Sequence, residues 1–267
     1  MTIRAKKSLG QHFLRDPIVV NAIIEALAPR RDEIIVEVGP GEGVLTLPLV
    51  NSGAQIIAVE LDRRLAPQLE QDFAGRPNFR VVEADILTFN PGDLKLFSFA
   101  VVGNLPYNIT TPIIDWLLAN QGLISRAVFM MQKEVAQRVV SPPGRRARST
   151  ISVLTALYFD SEIVCDVPPS SFAPPPKVDS MVVKFIRHDR HYPISDADRF
   201  AKFVRFCFAG KRKTLLNNLN SAYPLKRDEI SAILIDAVGS TRLRAEQLDL
   251  DSFIALYGAV IGRLKSR

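Results

Sequence analysis

The sequence has few of the residues that build disulfide frameworks and metal centres. Among 267 residues there are two cysteines and three histidines. Cys165 and Cys207 stand far apart and belong to no Cys-x-x-Cys pair, which excludes a small disulfide-stabilised scaffold and predicts reduced, buried thiols. The histidines are not spaced with other ligand residues, so we expect no metal site.

Long apolar runs, low-complexity stretches and internal repeats are also missing. No segment approaches the length of a membrane span, and the basic N-terminus lacks the apolar stretch of a secretion signal. We therefore expect a cytoplasmic protein without a membrane partner. The sequence leaves the oligomeric state open, and a monomer is taken as the starting expectation. Hydrophobic residues make up 47% of the chain, and its length allows one large domain plus a small one.

A glycine-rich turn organises the chain. The apolar run at residues 34–38 is followed by Gly-x-Gly-x-Gly at 39–43, a pattern that predicts a strand, a tight turn and a helix start. The spacing differs from that of a dinucleotide fingerprint, because the third glycine comes one position early and Val44 fills the sixth place. Glu37 and Glu42 add negative charge that would repel a pyrophosphate.

S-Adenosylmethionine suits these acidic walls, because it carries a sulfonium and an ammonium group and no phosphate. A second predicted strand ends at Glu60, where an acid can bind both ribose hydroxyls. After a third strand comes Asp85, placed to accept a hydrogen bond from the adenine amino group. These features favour an S-adenosylmethionine site, with an NAD oxidoreductase as the alternative.

The alternation of strand and helix patterns predicts an α/β, Rossmann-like domain with a mostly parallel seven-stranded sheet. The strands are expected at 34–38, 56–60, 79–83, 97–102, 127–131, 161–167 and 181–186. No strand pattern follows residue 196, and helices are expected at 196–208, 211–219, 228–238 and 245–264. We therefore place an α/β domain with the S-adenosylmethionine site at 1–188 and an all-α domain at 189–267.

The fourth strand leads into Asn104-Leu105-Pro106-Tyr107, at the sheet edge that also carries the glycine turn. The Asn104 side chain and the Leu105 carbonyl could accept both hydrogens of a planar exocyclic amine, and Tyr107 could stack on a flipped base. Prolines flank Phe172 and hold its ring rigidly. We predict that Phe172 faces Tyr107 across the base, the alternative being that it fills the core.

Two basic clusters in the sequence could contact RNA phosphates. The first is a helix-breaking loop with Arg145, Arg146 and Arg148, and the second, at a helix junction, contains Lys211, Arg212 and Lys213. The net charge of +6 is consistent with a polyanionic partner. Solvated charge clusters are the alternative interpretation of both.

With these stretches in place, the chain resembles the ribosomal RNA adenine dimethyltransferases of the small-subunit type. The match extends nearly from end to end, through residues 9–14, 37–41, 59–62, 104–109, 131–135, 172–180 and 211–215. The glycine motif is shared by many methyltransferases, whereas 104–107 and 172–180 are specific. The resemblance implies cofactor contacts at His12, Leu14, Gly39, Gly41, Glu60, Asp85 and Asn104, and an adenine pocket formed by Asn104, Leu105, Tyr107 and Phe172.

The resemblance also implies the reaction, which is transfer of four methyl groups to N6 of two adjacent adenosines in the 3′-terminal hairpin of small-subunit rRNA during subunit assembly. There are two departures from the pattern: His12 is Asn in some members, and residues 148–153 replace a Tyr-Gly-containing segment. The alternatives are the related large-subunit methyltransferase that confers macrolide resistance and a non-catalytic assembly factor.

Overall fold

The computed structural model describes Lys6 and residues 10–266, so Leu9, the first residue of the N-terminal motif, lies outside the described residues. The chain divides into two compact units. The first comprises the described residues up to Ala136 together with Asp160–Arg187, and the second comprises Gln137–Phe159 with the described residues from His188 onward. We describe each unit in turn.

Nine strands occur among the described residues. They are β1 (Phe13–Leu14), β2 (Ile34–Val38), β3 (Gln55–Glu60), β4 (Phe79–Glu83), β5 (Phe99–Asn104), β6 (Ile124–Gln132), β7 (Phe159–Val167), β8 (Phe172–Ala173) and β9 (Ser180–Arg187). The α-helices are α1 (Pro17–Leu27), α2 (Thr46–Asn51), α3 (Ala66–Asp72), α4 (Thr110–Ala119), α5 (Lys133–Val139), α6 (Thr150–Ala156), α7 (Ala197–Cys207), α8 (Leu215–Ala222), α9 (Arg227–Val238) and α10 (Leu250–Lys265).

Seven of the strands form one sheet, in the order β4-β3-β2-β5-β6-β9-β7. Strands β2 to β6 pair in parallel, and β9 is antiparallel to β6. The predicted α/β, Rossmann-like fold with a mostly parallel seven-stranded sheet is therefore confirmed. Because parallel strands end at the same edge, the loops that follow β2, β3, β4 and β5 meet on one side of the sheet.

Helix boundaries follow local capping chemistry. Asp16 caps α1, its side chain accepting from the Ile18 N–H at 3.0 Å, and Pro17 occupies the first turn, where its missing N–H costs no hydrogen bond. The helix predicted over 211–219 begins later, at Leu215, because the Thr214 side chain accepts from the Asn217 N–H and so forms the N-cap. The basic residues just before Thr214 therefore lie in a loop.

The structure also contains a two-stranded sheet that the sequence does not predict. Strand β1 pairs antiparallel with β8, so that Phe13 lies opposite Ala173 and Leu14 opposite Phe172. Strands of two residues carry no detectable period, and these partners are about 160 positions apart in sequence, so no local pattern could reveal the pairing. The pairing holds the N-terminal segment against the proline-rich segment around residue 172.

The second unit is helical and has its own aromatic core. Phe200 and Phe203 of α7 are fully buried, and Tyr257 of α10 packs against both rings at centroid distances of 5.3 and 5.5 Å. Helix α6 packs against α7, which is why residues 137–159 belong to this unit although the sequence prediction assigned them to the first domain. No helix within residues 10–266 has both the length and the apolar composition needed to cross a membrane.

Candidate active site

One cleft in the first unit collects most of the predicted site residues. Its walls come from the N-terminal segment 10–14, the glycine turn after β2, and the residues that follow β3, β4 and β5. The structure thus brings together His12, Leu14, Gly39, Gly41, Glu60, Asp85, Asn104, Leu105 and Tyr107. These positions span more than ninety residues of sequence. Those from Gly39 onward meet because the strands before them are parallel neighbours, whereas His12 and Leu14 belong to the N-terminal segment that β1 pairs with β8.

The glycine turn leaves space where a ligand can approach the backbone. Gly39 and Gly41 both have a φ of +62°, a conformation that side chains rarely adopt. A Cβ added to Gly39 would meet no atom of the described residues within 4 Å, so this position opens onto the cleft. At Gly41 the same Cβ would lie 3.3 Å from the Phe13 ring, so the turn also fits closely beneath the N-terminal segment.

Glu60, at the end of β3, is fixed by the backbone around it. Its two carboxylate oxygens accept hydrogen bonds from the Gly41 N–H at 3.1 Å and the Asp62 N–H at 2.8 Å. Burial raises the pKa of Glu60, while these two bonds favour the ionised form. Each oxygen has a further lone pair, so the carboxylate can still accept from the hydroxyls of a ribose.

Asp85 follows β4 and is half-buried. One of its carboxylate oxygens accepts from the Leu87 N–H at 2.9 Å. This bond fixes the carboxyl group at the wall of the cleft. The arrangement fits the predicted acceptor for an adenine amino group.

Glu37, one of the two acids that the sequence analysis placed beside the glycine turn, is buried within β2. It is 1% exposed, and one carboxyl oxygen accepts from the Thr46 hydroxyl at 2.7 Å. The other oxygen has no hydrogen-bond partner among the described residues. Burial raises the pKa of Glu37 to about 8. A buried acid with one unpartnered oxygen is costly, and a cation bound in the cleft would favour its ionised form by opposite charge.

We expect Glu37→Gln to raise the melting temperature increasingly as the pH rises from about 5 to about 8. The unfolded chain ionises Glu37 from its ordinary pKa of 4.5, whereas the folded protein keeps the proton up to about 8. Stability contributed by the protonated acid is therefore present at low pH and lost as the pH rises through this window. Thermal melts of both proteins across the range test this, and a constant difference would contradict it.

The N-terminal segment lies along the cleft and is tied to several of its walls. The Asn104 side-chain N–H donates to the His12 carbonyl at 2.8 Å, and the Gln11 side chain donates to Asp62 at 3.1 Å. Hydrogen bonds from Arg64 hold the pKa of Asp62 well below its usual range. Because Asn104 uses its N–H on His12, its carbonyl oxygen is the atom left to accept from a substrate amine.

Tyr107 lies in the loop after β5, half-buried at the same cleft. Its hydroxyl forms a 2.5 Å hydrogen bond with the Ser180 hydroxyl. Its ring stacks on the His12 imidazole, with centroids 5.6 Å apart and an interplanar angle of 26°. Burial raises the pKa of Tyr107, so the phenol stays protonated at neutral pH. The loop is held to the sheet by the Leu105 N–H, which donates to the Met130 carbonyl at 2.9 Å.

The structure does not place Phe172 across from Tyr107. Phe172 is 4% exposed, belongs to the core cluster that includes Leu14 and Val167, and does not line the cleft. The pairing of β8 with β1 carries its side chain into this core. The alternative interpretation, in which Phe172 fills the core, therefore describes this structure, and His12 is the ring that Tyr107 contacts.

The predicted RNA-binding residues fall into two groups. Arg145 and Arg146 are exposed, as are the basic residues at 211–213. Arg148 is a correction to the prediction, because it is only 5% exposed and donates to the Ser141 carbonyl at 2.9 Å. Burial lowers the pKa of Arg148. Arg148 therefore shapes the loop from inside, and the exposed charge of this loop comes from Arg145 and Arg146.

The Rossmann-like sheet, the glycine turn, the acids at the end of β3 and after β4 and the Asn-Leu-Pro-Tyr loop define an S-adenosylmethionine-dependent methyltransferase. A family model described as ribosomal RNA adenine dimethylase matches residues 2–253, and the chain belongs to this family. This membership excludes the NAD oxidoreductase alternative.

Curated relatives match over nearly the full length. The protein named Ribosomal RNA small subunit methyltransferase A from Pseudomonas syringae pv. tomato is 42% identical to this chain over 256 residues. The match covers 95% of this chain and 93% of the relative. The protein of that name from Geobacter metallireducens is 40% identical over 265 residues, with coverages of 97% and 96%.

Two solved structures match over most of the chain. The 23S rRNA methyltransferase ErmE is 32% identical with a TM-score of 0.74, covering 93% of this chain and 99% of that one. A dimethyladenosine transferase from Plasmodium falciparum is 28% identical with a TM-score of 0.78, with coverages of 92% and 96%. The similarity therefore extends across both compact units.

Proposed function

We propose that this protein transfers methyl groups from S-adenosylmethionine to N6 of two adjacent adenosines in the 3′-terminal hairpin of small-subunit rRNA. The observation that carries the proposal is an identity of 40–42% over nearly the full length to proteins named for small-subunit methylation. The position of the Asn104–Tyr107 loop at the cleft supports it. The large-subunit enzyme ErmE is less similar, at 32%. We further propose that the protein acts as a cytoplasmic monomer on the assembling small subunit.

The cleft residues fit S-adenosylmethionine by their donor and acceptor chemistry. Glu60 would accept from the ribose hydroxyls and Asp85 from the adenine amine, while Gly39 and Gly41 leave room for the ligand beside the backbone. Glu37 has an unpartnered oxygen beside the cleft, and the positive charge of the bound ligand would favour its ionised form. When bound, S-adenosylmethionine supplies a sulfonium methyl group to an attacking nitrogen. His12, Leu14 and Asn104 would form the remaining walls around the bound S-adenosylmethionine.

The loop after β5 provides hydrogen-bond acceptors that would make the adenine amine a better nucleophile. The N6 lone pair is delocalised into the ring, which keeps the amine planar. If the Asn104 side chain and the Leu105 carbonyl accept its two hydrogens, the nitrogen is drawn toward tetrahedral geometry and its lone pair is freed. Tyr107 stacks on the flipped base. The protein contributes position and exclusion of water, and no strong base is required.

Three loops of the second unit form the proposed RNA-binding surface. The Gly144 N–H donates to the Glu246 carbonyl at 2.8 Å, and the Leu215 N–H donates to the Leu243 carbonyl at 2.8 Å. These bonds bring together the backbones of the loops around residues 144, 212 and 244. The exposed basic residues that they carry are Arg145, Arg146, Lys211, Arg212, Lys213, Arg242 and Arg244. Arg242 and Arg244 were not identified in the sequence analysis.

We expect replacement of Lys211, Arg212 and Lys213 by alanine to weaken binding to small subunits and to lower the dependence of log Kd on log salt by about one unit per lost phosphate contact. Affinity for S-adenosylmethionine should not change. Salt titrations of subunit binding provide the measurement. The matched control is Arg76→Ala with Arg80→Ala, which removes exposed charge from the first unit. An equal change in the salt slope of that control would contradict the assignment.

The function is tested with labelled S-adenosylmethionine, unmethylated small subunits and, in parallel, large-subunit RNA, with products mapped by mass spectrometry. We expect dimethyladenosine at two adjacent small-subunit positions. Label confined to large-subunit RNA would assign the protein to the resistance branch. Cofactor binding without transfer to either RNA would support the non-catalytic assembly factor.

A further inference from the structure

The hydroxyl group of Tyr107 is not explained by stacking. A phenylalanine would offer the same aromatic face to a base. In this structure the hydroxyl forms a 2.5 Å hydrogen bond with Ser180, whose side chain is fully buried. Ser180 lies outside the cleft lining and has no role in the cofactor or substrate contacts described above.

Ser180 is held in place by the main sheet. It is the first residue of β9 and lies opposite Gln132, the last residue of β6. The neighbouring Asp179 carbonyl accepts from the Lys133 N–H at 3.0 Å. Because its backbone is part of the β6–β9 ladder, Ser180 offers Tyr107 a hydrogen-bond partner whose position is set by the core of the fold.

The Tyr107 ring is also supported on one face. The His12 imidazole stacks against it, and the His12 Nδ1 lies 2.8 Å from the Pro174 carbonyl. A carbonyl oxygen can only accept, so Nδ1 carries the hydrogen and the imidazole is anchored in turn. The ring is therefore restrained at its hydroxyl end by Ser180 and on one side by His12.

We infer that Ser180 is a positioning residue for methyl transfer, which orients the Tyr107 ring through the hydroxyl–hydroxyl bond so that it is ready to stack on the target adenine. The inference rests on the proposed function, since it takes Tyr107 as the stacking platform. Without the bond the ring gains rotational freedom, which base binding must then remove. Ser180 itself touches neither base nor cofactor.

A double-mutant cycle tests this role. The single-turnover rate of transfer to unmethylated small subunits is measured at saturating S-adenosylmethionine for Ser180→Ala, Tyr107→Phe and the double variant. We expect each single variant to be slower by about fivefold, the effect of one hydrogen bond, and the double variant to be no slower than either. The Kd for S-adenosylmethionine should stay at the wild-type value in all three.

The controls separate positioning from stability. Ser52→Ala removes another serine hydrogen bond of the same unit, at 2.6 Å to the Leu49 carbonyl and away from the cleft, and should leave the rate unchanged. Melting temperatures are compared for all variants. If Ser180→Ala does not fold, Tyr107→Phe with Ser180 intact still tests the bond and should show the same fivefold loss. Ser180→Thr, which keeps a hydroxyl, should recover most of the rate.

The outcomes distinguish this inference from the proposed function. Wild-type rates for Ser180→Ala and Tyr107→Phe, together with a large loss for Tyr107→Ala, would overturn the role of Ser180 and leave Tyr107 as the platform. Multiplicative losses, about 25-fold in the double variant, would show that Ser180 acts by a route other than Tyr107. A wild-type rate for Tyr107→Ala would overturn the stacking role itself.

Discussion

Replacement of Asn104 by alanine is expected to slow methyl transfer by about a hundredfold or more, the size of effect that follows loss of one transition-state hydrogen bond. The Asn104 carbonyl is the group placed to draw the amine nitrogen out of its planar form. The substitution also removes the N–H that donates to the His12 carbonyl. Single-turnover rates with unmethylated small subunits, measured beside the Kd for S-adenosylmethionine, separate these contributions.

Asn120→Ala is the matched control for Asn104. The Asn120 side chain donates to the Trp116 carbonyl at 2.9 Å at the end of α4, away from the cleft. Its loss should leave the rate near the wild-type value. If Asn104→Ala retained near-normal turnover while still binding the cofactor, the assignment of Asn104 to the amine would be wrong.

Glu60→Ala should weaken S-adenosylmethionine binding by about a hundredfold, because hydrogen bonds to a charged acceptor contribute about 1.5–3 kcal/mol each. Two effects combine, since Glu60 is the predicted acceptor for the ribose and it also accepts from the Gly41 and Asp62 N–H groups. Calorimetric titration with S-adenosylmethionine measures the change in the absence of RNA.

Glu83→Gln provides the control for Glu60, because Glu83 is the residue paired with Glu60 on the adjacent strand and is exposed outside the cleft. It should bind S-adenosylmethionine as tightly as the wild-type protein. An unchanged Kd in Glu60→Ala, with the fold intact by circular dichroism, would remove Glu60 from the cofactor site.

Most of the first unit could be predicted because its elements carry strong local signals. The four apolar residues of β2, at the predicted 34–38, are an example. Glu60, Asp85 and Asn104 could be assigned to one edge because parallel strands share a direction. The prediction required only the strand ends and the rule that consecutive α/β units build their site on the carboxyl side.

The departures from prediction arise where burial depends on distant residues. The flanking prolines predict a stacking role for Phe172, and the basic loop predicts a phosphate contact for Arg148, yet both side chains are buried. A proline-rich stretch indicates rigidity, and a basic loop indicates charge. Neither pattern states which side chain points inward, because that depends on the strand or loop that packs against it.

The amino-acid sequence by itself determined the α/β alternation, the glycine turn and the residue types of the cleft, because these depend on propensity and spacing along a few neighbouring residues. Only the tertiary structure decided the partners of those residues. The pairing of β1 with β8, the His12–Tyr107 stack and the Ser180–Tyr107 bond join positions that are about 70 to 160 residues apart. Such contacts form because the whole sheet must close around its core, and no local pattern encodes them.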